Sequence, residues 1–124
     1  MATTMRVAGD EMQRLSASLD ESLDELKAYA MALAEAEHSY RQSKARAWRF
    51  VDKVTKDGVK RLAAEIEADV DEMTSDLRFL RDQAEGMRQT ALEVVRSRRQ
   101  QLSAWQSWAA LERAEAEFVR TGSS

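Results

Sequence analysis

The sequence predicts an all-α protein, a long antiparallel helical hairpin of coiled-coil type that self-associates into a four-helix or larger assembly. Two long stretches carry apolar residues every seven positions, the spacing of a helix that buries a narrow seam against another helix. A short break at Gly58 separates them. Charge runs in blocks that complement each other only if the chain folds back at that break. The composition agrees, since zero proline, four glycines and 33% charged residues describe long exposed helices better than a globular core.

Residues 1–9 read as a flexible arm. Asp10 is the expected helix start, a capping carboxylate after Gly9 with Glu11 in the first turn. The first helix then spans about 10–55. One seam row runs Met12, Leu19, Leu26, Leu33, Tyr40, Ala47 and Val54. Its companion row is Leu15, Ser22, Tyr29, Ala36, Ser43 and Phe50, and neither row holds a charge.

The turn falls at about 56–58. Gly58 suits the left-handed position past a helix end, and Asp57 is placed to cap the next helix. The second helix is expected over about 59–119, closing the 10–120 hairpin before a 121–124 tail. Its first row is Ile66, Met73, Leu80, Met87, Val94, Gln101 and Trp108. Its second row is Val70, Leu77, Ala84, Ala91, Arg98 and Trp105.

Orientation follows from charge. Residues 1–40 carry a net −5, 41–62 a net +6, 63–87 a net −6 and 88–106 a net +3. Folding near Asp57 sets each block beside its opposite. Exposed pairs contribute only ~0–1 kcal/mol each, so the blocks select direction more than they stabilise.

The chemistry-bearing residues point away from catalysis. With no cysteine, disulfides and thiolate chemistry are absent. His38 is the single histidine and is expected on the solvent face, without a second imidazole for a metal. The pairs Asp20/Glu21, Asp24/Glu25 and Asp71/Glu72 lie on solvated faces, where no concave site shifts their acidity. A non-enzyme without cofactor or metal is the expectation. No apolar run approaches the ~18 residues of a membrane span. A net charge of −3 argues against gross attraction to an anionic membrane, so no membrane partner is expected and the cytoplasm is the expected location.

Two surfaces are candidates for binding. Trp105 and Trp108 lie three apart on one helical face, and the second helix is expected to overhang the first. Arg98, Leu102, Trp105, Trp108, Leu111 and Phe118 are therefore the expected oligomer or partner interface. Around the turn, Arg41, Lys44, Arg46, Arg49, Lys53, Lys56 and Lys60 surround Trp48. Cations beside an aromatic ring fit weak contact with single-stranded nucleic acid. Pairing with the acidic 65–72 stretch is the competing use of the same cations.

Residues 34–48 (Ala-Glu-Ala-Glu-His-Ser-Tyr-Arg-Gln-Ser-Lys-Ala-Arg-Ala-Trp), 82–88, 98–107 and 118–122 resemble small helical coiled-coil proteins. These are encoded among early and recombination-region genes of tailed phages of actinobacteria and other Gram-positive hosts. The resemblance covers about half the chain. It implies an accessory protein of the host-cell cytosol that binds a recombination or replication factor. The alternatives are an inhibitor of a host nuclease or defence protein, and a virion or scaffold component. The group supplies no catalytic residues to carry over. Secreted helical hairpins of similar size carry Trp-x-Gly at their turn, which here reads Lys56-Asp57-Gly58.

Overall fold

The computed structural model describes residues 2–122. Three helices follow one another, α1 (Ala2–Phe50), α2 (Ala63–Met73) and α3 (Ser75–Thr121). Among the described residues the extended pairing is a single antiparallel bridge, Val54 with Lys60. The all-α class and the hairpin packing of α1 with α3 hold.

Several expected boundaries move. The arm expected at 1–9 is helix from Ala2 onward, and Met1 lies outside the described residues. Gly9 and Asp10 imitate a helix start, but Gly9 sits in ordinary helical backbone. Ala8 is almost fully buried, and its packing outweighs the ~1 kcal/mol that a helical glycine costs. At the other end, α1 stops at Phe50 instead of near 55. The Val51 amide still donates to the Ala47 carbonyl at 2.9 Å, and the Val51 side chain then joins the core.

A tight hairpin replaces the three-residue turn. The Gly58 amide donates to the Thr55 carbonyl at 2.9 Å, and the Thr55 amide to the Val59 carbonyl at 2.7 Å. Outside them the Arg61 amide donates to the Lys53 carbonyl at 3.0 Å. The Thr55 hydroxyl accepts a further bond from the Val59 amide at 3.1 Å. β-Branched residues flank an Asp-Gly pair, and Gly58 takes the positive φ of 78° that such a turn requires. Asp57 is thus a turn residue, and Leu62 precedes α2 without a side-chain cap.

The expected second helix is divided at Thr74. The Thr74 hydroxyl donates to the Val70 carbonyl at 2.8 Å, and its own amide reaches the same oxygen at 3.1 Å. Such back-bonding bends a helix. The tail expected from 121 begins at Gly122, because Thr121 closes α3; Ser123 and Ser124 lie outside the described residues.

The chain forms two compact units. In one, Ala28–Gln89, the end of α1 packs against α2 and the beginning of α3. Its core is Ala47, Val51, Ile66 and Val70, with Trp48 packed against it. Tyr40 is buried there too, with the Arg81 guanidinium 4.5 Å from its ring centre. In the other, α1 up to Lys27 packs against α3 from Thr90 onward, burying Ala8, Leu15, Ser22, Ala91, Val95 and Ala109.

Both expected rows of α1 face inward from Met12 to Ala47, while Phe50 at the last position of the helix and Val54 beyond it are exposed. On α3 one expected row holds, with Leu77, Ala84, Ala91, Arg98 and Trp105 all partly or fully buried. The other does not. Inside lie Ile66, Val70 and Thr74, and then Arg81, Arg88, Val95, Leu102 and Ala109, one residue later than expected. Two successive four-residue steps at Thr74 shift the phase, the signature of a stutter. Met73, Leu80, Met87 and Val94 consequently face outward, and so does Gln101.

Candidate functional site

The end of α3 carries an open apolar cavity of about 550 Å³, lined by Val7, Gln101, Ala104, Trp105 and Trp108. Each wall has a local cause. Trp105 and Trp108 sit three apart on one helical face, and their rings meet edge to face at 5.7 Å and 81°. Val7 comes from the opening turns of α1, in the segment expected to be an arm. The second helix therefore does not leave its tryptophans uncovered: α1 reaches them, and both are partly buried.

The remaining residues of the expected interface divide. Arg98 donates to the Ser18 carbonyl at 2.7 Å and makes a second bond to the Ser22 hydroxyl. It ties α3 to α1 within one chain and remains partly exposed. Leu102 is half-buried on the same inward side. Leu111 and Phe118 are exposed, one and two heptads beyond Ala104, and extend the apolar line past the cavity.

The second candidate is the hairpin tip. Arg41, Arg46, Arg49, Lys53, Lys56 and Lys60 are exposed, and Lys44 is half-buried with its ammonium 5.8 Å from the Tyr40 ring centre. Arg41 stands 3.9 Å from Glu37, at the edge of ion pairing. The acidic stretch 65–72 was expected to occupy these cations. Among the described residues it is Arg61 that engages it, at 2.6 Å from Asp69 and 3.8 Å from Glu65, while also donating to the Asp52 carbonyl. Trp48, the expected stacking ring, is packed against the core instead.

Sequence reasoning missed what else the tip presents. Phe50, Val54, Val59 and Leu62 are all exposed, among the lysines. The signal was available in the β-branched residues on both sides of Asp57-Gly58, which favour a strand-like hairpin that turns side chains outward. Val7 was missed because Gly9-Asp10 reads as a helix start.

His38 is exposed on α1. Among the described residues no group of His, Asp and Glu could hold a metal ion, and no helix is long and apolar enough to cross a membrane. Both candidate surfaces present apolar side chains beside charged ones, a make-up suited to contact with a partner. No family model, curated protein or solved structure matches the chain.

Proposed function

We propose that this chain works by binding, as a phage accessory protein in DNA recombination or replication, and that its first partner is a second copy of itself. The observation that carries the binding reading is the apolar cavity between Val7 and the Trp105/Trp108 pair, continued by exposed Leu111 and Phe118. An amphipathic helix laid along such a line buries apolar side chains at heptad spacing, the helix-in-groove mode of recognition. Two hairpins docked in this way form a four-helix assembly. The phage setting rests on the resemblance of residues 34–48, 82–88, 98–107 and 118–122.

Light scattering tests the association. The double variant Leu111→Glu/Phe118→Glu changes exposed residues only, so it keeps its helical circular dichroism and falls to monomer mass. A wild-type chain that is already monomeric at tens of micromolar, on the order of the weakest specific interfaces, overturns the self-association. Capture from phage-infected cells with wild type and the double variant tests the setting. A phage recombination or replication protein held only by wild type supports it; a host nuclease held instead favours the inhibitor.

A further inference from the structure

The hairpin tip combines two features that neither helix pairing nor the cavity uses. Residues 46–62 carry six basic and two acidic side chains, a net +4. Of the six, Arg61 is committed to Asp69. Among these cations stand four large apolar side chains, with Phe50 78% exposed, Leu62 68%, Val59 61% and Val54 56%. Exposure of this kind is costly in water unless something covers it.

We propose that this tip docks onto an anionic lipid surface, with Phe50, Val54, Val59 and Leu62 entering the headgroup region and Lys53, Lys56 and Lys60 meeting acidic headgroups. The pairing of features identifies the occupant. A basic fringe around exposed apolar side chains matches the boundary between charged headgroups and acyl chains, at a depth of about 5–10 Å. Single-stranded nucleic acid needs flat rings to stack its bases. Trp48 is partly buried against the core, and three of the four exposed apolar residues are aliphatic. No membrane span is required, because the tip lies in the interface.

The full-length chain tests this. The tip is firmly built, with three backbone hydrogen bonds across it, so changes to outward side chains leave the helices intact. The chain contains no cysteine, so Asp57→Cys gives one attachment point for an environment-sensitive dye at the turn. Vesicles of phosphatidylcholine alone are compared with vesicles holding about 30% phosphatidylserine, a composition with a strongly negative surface potential.

The expected result is sedimentation with the anionic vesicles only, together with a blue shift of the dye. Lys53→Gln/Lys56→Gln/Lys60→Gln should weaken partitioning roughly a hundredfold, at about fivefold per lysine. Val54→Ser/Val59→Ser should weaken it as well while circular dichroism stays unchanged. Sedimentation with neither vesicle overturns the proposal. So does binding that ignores the serine substitutions, since the apolar side chains then do not enter the membrane. A labelled single-stranded oligonucleotide that binds more tightly than the vesicles, with the same lysine dependence, assigns the tip to nucleic acid instead.

Discussion

Arg98 shows how a charged side chain can occupy a seam position without harming it. Its side chain is half-buried while its guanidinium donates to Ser18 and Ser22, and Ser22 is nearly fully buried. The Ser22 hydroxyl in turn donates to the Ser18 carbonyl at 2.9 Å, so the small polar cluster is satisfied. Arg98→Met keeps the stem and removes the donors. It should cost about 1–3 kcal/mol in urea unfolding, the range for hydrogen bonds from a charged group. An intermolecular role would instead lower the mass of the assembly and leave the stability of the chain unchanged.

Gly58 makes a different demand. Its φ of 78° strains any residue with a Cβ, although a Cβ there would meet open space. Gly58→Ala should therefore destabilise by about 1 kcal/mol through backbone conformation alone, and Gly58→Asn by less. On α3, Arg88 and then Gln89 donate to Glu85 and hold its carboxyl below the usual carboxylate range. A lowered pKa means this contribution is complete above the ordinary carboxylate range and is lost as pH falls through the folded value. Glu85→Gln should flatten the acid limb of a helicity titration measured by circular dichroism.

Among the elements, α1 was the most legible. From Met12 to Ala47 one pair of rows stands against mostly polar or small residues, Leu23 and Met31 being the large apolar exceptions. The structure buries those rows partly or fully. The phase of α3 was not legible because its central row, Leu77 to Trp105, has apolar residues on both sides. Met73, Leu80, Met87 and Val94 flank it on one side, and Val95, Leu102 and Ala109 on the other. Counting residues favours the first row early in the helix and the second row late. Thr74 resolves the conflict in favour of the second, through a side-chain bond that no heptad count contains. The Trp105/Trp108 pair was readable from its spacing, whereas its partner Val7 was hidden by a false cap. Gly86 lies on the outward side of α3, where an added Cβ meets nothing within 4 Å. Gly86→Ala should raise stability by about 0.5–1 kcal/mol in thermal unfolding, through helix propensity alone.

At the scale of the whole molecule, the two units differ in how the chain builds them. Ala28–Gln89 is one continuous segment closed by its own hairpin. The other unit joins the two ends of the chain, and its Arg98–Ser22 bond spans 76 residues. The continuous unit should therefore survive excision. A peptide of residues 28–89 should remain helical by circular dichroism, whereas residues 1–27 mixed with 90–124 should not. In native-state hydrogen exchange, amides around Ala8 and Ala109 should open before those around Tyr40 and Val70.

The hairpin at Gly58 also sets a clock. Closing a loop of about ten residues takes on the order of 10–100 ns, far less than bringing distant chain ends together. Helix pairing that starts at the tip can advance one turn at a time, always between segments already held close. A change at the tip then slows folding, while a change near Val7 or Trp105 mainly hastens unfolding. Pairing in that order would close the apolar cavity last and open it first. Its lifetime, and with it the residence time of whatever docks there, is governed by how often those final turns come apart.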